Sequence, residues 1–154
     1  VERSRGLGDV YKRQNKILST IEALLVEKKL VVENLIKEDL FLKTDKESFR
    51  SIFSNLLNNA IKYSPEGSVI SFKHYIEKKS KVISIKDNGY GIEKKSIHRI
   101  FERFYRSSKA RAHTKGTGLG LALVKQLSAR IGCSVTVESK INSGTEFFVS
   151  FNDK

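Results

Sequence analysis

The sequence contains no methionine and opens on valine, so it is expected to be a fragment of a longer reading frame. It also has no apolar run near the roughly 20 residues a membrane-spanning helix needs, and no signal-peptide pattern. A soluble chain is therefore expected, with a membrane-bound parent left open. One cysteine, Cys133, excludes a disulfide within the chain and suits a reducing cytoplasm. Set among Ile131, Gly132 and Val135, it reads as a small buried hydrophobe in preference to a nucleophile.

What is present fits one compact α/β domain: 154 residues, 39% hydrophobic and 30% charged, enough to bury about two-thirds of the unfolded surface. Residues 1–14 are rich in Arg and Gly and lack an apolar period, which reads as a disordered tail or an assembly-derived leader. The domain is assigned to residues 15–154. The formal charge of +12 raises nucleic acid as a partner. Half of that excess, however, lies between Glu93 and Gly116, where eight Lys or Arg face two Glu.

Along the chain, Ile17, Ile21, Leu24 and Leu25 have helical spacing within Gln14 to Lys28, and Leu30 to Ile36 and Asp39 to Leu42 are short β-like runs. Thr44 with Glu47 forms a capping-box pattern for a helix running to about Tyr63, stopped by Ser64-Pro65-Glu66-Gly67. Ser68 to Ile76 and Lys81 to Asp87 read as a hairpin. A basic segment follows, then a helix from Gly118 to about Arg130 and strands near Ser134 to Ser139 and Thr145 to Phe151.

Three short motifs carry the chemistry. In the first, Asn55 to Tyr63, the residues Phe49, Ile52, Phe53, Leu56, Leu57 and Ala60 fall on one side of the helix at about 100° per residue, and Asn55, Asn59 and Lys62 on the other, with Asn58 beside them. A solvated face is one reading. The other is that amide oxygens one turn apart ligate a hard cation such as Mg²⁺, with Lys62 a point charge for a phosphate.

In the second motif, Asp87 to Ile92, Asp87 shares the strand parity of Ile83 and Ile85 and so points to the buried side. A buried carboxylate needs a donor, and the exocyclic amino group of a purine would supply one. Gly89 and Gly91 would let the backbone approach a planar ring. The plainer reading is a type I′ turn at Asn88-Gly89.

In the third motif, Gly116, Gly118 and Gly120 precede an apolar helix, so that bare backbone N–H groups could bind an anion. It is neither a Walker A loop nor a dinucleotide fingerprint, and a plain glycine hinge is the alternative. Between the second and third motifs, Ile100, Phe101, Phe104 and Tyr105 could anchor a cationic lid carrying Arg103, Arg106, Lys109, Arg111 and Lys115.

Together these residues resemble the catalytic and ATP-binding domain of bacterial sensor histidine kinases, within the wider family that includes gyrase B, Hsp90 and MutL. The likeness covers about Gln14 to Phe151. Asn55 to Tyr63 is similar to the N box, Asp87 to Ile92 to the G1 box, Phe101 to Phe104 to the F box and Gly116 to Gly120 to the G2 box, with Ser143-Gly144-Thr145 and Phe147 similar to a last glycine motif.

The resemblance implies a two-layer α/β sandwich, the Bergerat ATP-binding fold, with a mixed sheet, helices on one face and an ATP lid. It implies ATP and Mg²⁺ as ligands. Asn59, with Asn55 in support, would hold the metal, Asp87 the adenine amino group, and Lys62, Tyr63 and lid residues such as Arg106 the phosphates. Gly89, Gly91, Ile92, Phe104, Gly116, Thr117, Gly118, Leu119, Gly120 and Thr145 complete the implied nucleotide site, with Asn55, Asn59 and Lys62 as its catalytic residues.

The ATP hydrolases of that family carry a glutamate base where this chain has Asn55, and an amide cannot take a proton from water. The γ-phosphate is therefore expected to be transferred. No acceptor motif is present: His74, His98 and His113 read as solvated or lightly packed. The implied partners are a phosphoacceptor helical hairpin of the parent kinase and, through it, a response regulator, with no nucleic acid and no membrane contact. The fragment is expected to be a cytoplasmic monomer and the parent a homodimer. An anti-sigma-factor-type serine kinase and a non-catalytic nucleic-acid-binding module are the competing readings.

Overall fold

A computed structural model of the chain describes residues 3–4, 22–37, 40–113 and 116–152. In chain order the elements are β1 (Arg3–Ser4), α1 (Glu22–Glu27), β2 (Val31–Asn34), β3 (Leu42–Lys43), α2 (Lys46–Lys62), β4 (Val69–Glu77), β5 (Ser80–Asp87), α3 (Lys94–Ile97), α4 (Ser108–His113), α5 (Gly120–Ile131), β6 (Cys133–Lys140) and β7 (Gly144–Asn152). Most of the segment 1–14 and the first part of the expected N-terminal helix lie outside the described residues. Within it, Arg3–Ser4 pairs antiparallel with Leu42–Lys43.

The main sheet has the order β2-β4-β5-β7-β6. It is mixed: β2 runs parallel to β4, and the other neighbours are antiparallel. A parallel pair needs a long crossover, and α2 supplies it. The β4–β5 hairpin turns at Lys78 and Lys79, both with positive φ (47° and 68°), a turn built without the usual Asn-Gly.

The expected apolar face of α2 is the core. Phe49, Ile52, Phe53, Leu56 and Leu57 are at most 1% exposed, and the Phe49 ring sits 4.6 Å from Phe53 and 6.1 Å from Phe151 of β7. Burying each such side chain contributes about 1.5–3 kcal/mol. Opposite them the central strands offer Ile83, Ile85, Phe147 and Val149, all buried. α5 packs beside α2 and adds the fully buried Val124.

The start of α2 differs from the expected capping box by one residue. Asp45, not Thr44, is the N-cap. Its carboxylate accepts from the Ser48 backbone N–H at 3.2 Å and from the Ser48 hydroxyl at 2.5 Å, and these bonds hold its pKa below the ordinary value. Asp is as good a cap as Thr, so the register is set by packing. Thr44 is drawn into the core at 3% exposure. The helix ends at Tyr63, as expected. α5 begins at Gly120, two residues later than expected, because Gly118 takes a φ of +74° that no helix continues. Cys133 is buried, and burial raises its thiol pKa, consistent with a packing role.

Candidate nucleotide-binding cleft

Because the apolar side of α2 faces the sheet, its polar stripe faces the space between α2, α5 and the segment from Glu93 to Gly120. Asn55, Asn58, Asn59, Lys62 and Tyr63 line a cleft there. The Asn55 Nδ2 donates back to the Ser51 carbonyl at 2.8 Å, which leaves Oδ1 as the acceptor. That oxygen looks across at Gly120, where an added Cβ would stand 3.1 Å away. Among the described residues no group of three or more His, Cys, Asp or Glu could hold a metal ion. The amide oxygens of Asn55 and Asn59 fit a hard cation that takes its remaining ligands from water and phosphate.

Asp87 ends β5 at the opposite wall, 6% exposed. Its Oδ1 accepts from the Gly89 N–H at 2.9 Å and the Thr145 N–H at 3.2 Å. Burial pushes the carboxyl pKa up to about 6, against the pull of those two hydrogen bonds. With both donors on Oδ1, a ligand's donor is left Oδ2. Thr145 is itself held by a contact of 2.8 Å between its hydroxyl and that of Ser139. Ser139 also accepts from the Ile92 N–H at 2.7 Å, fixing Ile92 at the cleft.

The lid begins as an anchored segment and is partly helical. Ile100 is buried, Phe101 meets Phe147 edge-on at 6.3 Å, and the Tyr105 hydroxyl donates to the buried Ser96 hydroxyl at 2.9 Å. The Arg99 guanidinium lies 4.4 Å over the Tyr105 ring. Arg106 lines the cleft facing Gly116 and donates to the Ala110 carbonyl at 3.0 Å. Lys115 and the side chain of Lys109 lie outside the described residues.

Of the expected site, Asn55, Asn59, Lys62, Tyr63, Asp87, Gly91, Ile92, Arg106, Gly116, Thr117, Gly118, Gly120 and Thr145 come together in this cleft. Three do not line it. Gly89 is packed beneath the end of α2, where an added Cβ would lie 2.2 Å from the Tyr63 carbonyl oxygen. Phe104 adopts a φ of +64° and donates its N–H to the Gly118 carbonyl at 3.0 Å, which turns its ring outward to 69% exposure. Leu119 is 40% exposed and lines a second cavity with Leu123, Gln126 and Arg103, which shares Asn55, Thr117 and Gly120 with the first.

The cleft also takes in Asn58, Tyr90, Ile100, Tyr105, Ser107, Ala110, Leu121 and Phe147, which were not among the expected site residues. Asn58 and Leu121 stand next to expected residues, and Ile100 and Tyr105 were read as lid anchors. Ser107 and Ala110 carry no sequence signal of their own.

Comparison with known proteins agrees with this geometry. Residues 44–154 match the family described as histidine kinase-, DNA gyrase B- and HSP90-like ATPase. Sensor histidine kinase WalK of Bacillus subtilis (strain 168) is 38% identical over 117 residues, 74% of this chain and 19% of that protein. Sensor histidine kinase YkoH of the same organism is 33% identical over 147 residues, 95% of this chain and 32% of that protein. Among solved structures, a mycobacterial sensor histidine kinase, MprB, is 27% identical with a TM-score of 0.76, covering 90% of this chain and 94% of that one. The catalytic domain of histidine kinase ThkA gives a TM-score of 0.81 at 20% identity, covering 98% and 94%, a likeness of fold. The chain spans 19% and 32% of the length of the two curated relatives.

Proposed function

This chain belongs to the family of histidine kinase-, DNA gyrase B- and HSP90-like ATPases, as an ATP-binding catalytic domain of the sensor histidine kinase type, and we propose that it transfers the γ-phosphate of Mg²⁺-ATP to a histidine. That histidine would stand on a helical hairpin belonging to another part of a longer kinase. This chain would act as a monomer on the cytoplasmic side, and the parent as a homodimer passing the phosphate to a response regulator. Among the described residues no helix is long and apolar enough to cross a membrane.

The observation that carries this reading is the distribution of acids and bases around the cleft. Among the described residues that line it, Asp87 is the only carboxylate and there is no histidine, and Oδ1 of Asp87 is already committed to Gly89 and Thr145. The asparagine stripe holds amides where water activation would need a base. Such a site can bind, orient and neutralise charge, which is most of what phosphoryl transfer requires, and the asparagine stripe offers no general base for water. In this reading Asp87 accepts from the adenine amino group, Asn59 and Asn55 ligate Mg²⁺, and Lys62, Arg106 and the Gly116–Gly120 backbone hold the phosphates. Mg²⁺ would supply charge neutralisation between phosphate oxygens.

Leu119 and Leu123 are exposed and border the second cavity next to Asn55, with the exposed Phe104 following Arg103 of its lining, and this is where an acceptor helix would approach. The competing nucleic-acid and serine-kinase readings are not favoured, since the relatives are named sensor histidine kinases.

The test is to mix the chain with γ-labelled ATP, Mg²⁺ and a separately made phosphoacceptor hairpin of a related sensor kinase. Label on the hairpin histidine, lost in Asp87→Ala, is expected. Release of free phosphate at the same rate without a hairpin would contradict the reading.

A further inference from the structure

Lys28 lies outside the cleft, in the turn between α1 and β2. Its Nζ donates to three backbone carbonyls at the end of α2: Ile61 at 2.7 Å, Lys62 at 3.2 Å and Ser64 at 3.3 Å. An ammonium has three N–H donors and no acceptor, so the match in number is complete. The carbonyls of a helix's last turn have no partner within the helix and form the negative end of its dipole. Lys28 satisfies both needs from a segment 33 residues upstream.

The surrounding backbone holds it there. The Gly67 N–H donates to the Lys28 carbonyl at 3.0 Å, the Leu30 N–H to Leu25 at 2.9 Å and the Val31 N–H to Ser68 at 3.0 Å. Leu25 and Leu30 pack against the core. Lys28 is half-buried, and desolvation lowers its pKa, opposed in part by Glu27. By contrast the adjacent Lys29 makes an exposed ion pair with Glu66 at 3.1 Å, 76% and 64% exposed, of a kind worth little.

The turn of α2 that Lys28 grips is the one whose other side lines the cleft. The carbonyl of Lys62 is held from behind while its side chain, with Asn59 and Tyr63, faces the nucleotide site. We propose that Lys28 is a positioning residue for the phosphate end of the cleft: it fixes the last turn of α2 and, through it, Asn59, Lys62 and Tyr63. This rests on the ATP-binding reading above. The adenine end is built on β5 and β7 around Asp87 and Thr145 and meets that turn only at one remove, through Gly89 and Tyr90 at the Tyr63 carbonyl, a carbonyl that Lys28 does not itself contact.

A positioning role predicts a loss graded by phosphate content, whereas a merely structural role would weaken all nucleotides alike. The affinities of Mg²⁺-ATP and of AMP are measured for the full chain and for Lys28→Met, Lys28→Arg and Lys29→Met, with thermal melts to establish folding. Lys28→Met is expected to lose about tenfold for Mg²⁺-ATP and less than about twofold for AMP, the size of effect that misplaced binding groups produce. Lys28→Arg should recover most of the loss, and Lys29→Met should behave as wild type. A folded Lys28→Met that loses both ligands equally, or neither, overturns the proposal. If Lys28→Met does not fold, Lys28→Gln, which keeps donors on a shorter side chain, is read by the same ratio with the same two outcomes. A folded wild type that binds no Mg²⁺-ATP would overturn the functional reading beneath it, a result separate from any change in the ratio.

Discussion

Gly89 packs so closely under the end of α2 that a Cβ on it would lie 2.2 Å from the carbonyl oxygen of Tyr63. The next N–H, that of Tyr90, donates to the same oxygen at 3.0 Å. The glycine thus joins the two walls of the cleft without lining it. Gly89→Ala should push α2 and the loop after β5 apart, lowering stability by about 1–3 kcal/mol and weakening ATP binding. Chemical denaturation and nucleotide titration of the variant check both effects, and a variant with wild-type affinity would mean the loop has freedom this packing denies.

The raised pKa of Asp87 has two consequences of opposite sense. Burial pushes its carboxyl up to about 6 in the folded chain from an ordinary 3.8, so the folded state favours the protonated form. The resulting stabilisation is complete below the ordinary value and is lost as pH rises through about 6. Relative to Asp87→Asn, the wild type should lose on the order of 3 kcal/mol of stability between pH 4 and 7, measured by denaturant melts of both proteins across that range.

Ligand binding should run the other way, because the ionised carboxylate is the stronger acceptor for an amino group. Affinity for adenosine, which has no phosphate to titrate, should fall by up to about tenfold per pH unit below about 6. A flat profile from pH 5 to 8 would mean that Asp87 does not receive the adenine donor.

If an acceptor helix approaches at Phe104 and Leu119, nucleotide binding and acceptor docking should be separable. Both residues are exposed and neither lines the cleft. Phe104→Ala and Leu119→Ala should leave ATP affinity within about twofold of wild type while slowing transfer to an added hairpin by about tenfold or more, the loss expected for an anchor of an interface. Equilibrium titration and single-turnover transfer distinguish the two effects.

The Tyr105 hydroxyl is the polar anchor of the lid, and its partner Ser96 is 2% exposed. Tyr105→Phe leaves that serine unpaired, which costs about 1–3 kcal/mol. Amide exchange in residues 94–106 should accelerate in the variant, with little change in α2. Unchanged exchange there would show that Ile100 and Phe101 suffice to hold the lid.

Much of this architecture is legible in the sequence, for a local reason. The 3.6-residue period of α2 places Asn55, Asn59 and Lys62 opposite Phe49, Phe53 and Leu57, and the two-residue period of β5 places Asp87 with Ile83 and Ile85. Both periods survive folding unchanged. What the sequence conceals depends on contacts between distant segments. The cap at Asp45 follows from the burial of Thr44, the outward ring of Phe104 from its bond to Gly118, and the role of Gly89 from the carbonyl of Tyr63. In the sequence Lys28 marks only the end of the helical stretch from Gln14, and its partners stand more than 30 residues away.

One cleft should join Asp87 to the asparagine stripe around Mg²⁺-ATP. Calorimetric titration of the chain with a non-hydrolysable ATP analogue, with and without Mg²⁺, tests it against Asp87→Ala and Asn59→Ala. Wild-type binding is expected that Asp87→Ala abolishes and that loses its magnesium dependence in Asn59→Ala. A folded wild type that does not bind, or binding that survives Asp87→Ala undiminished, would contradict it.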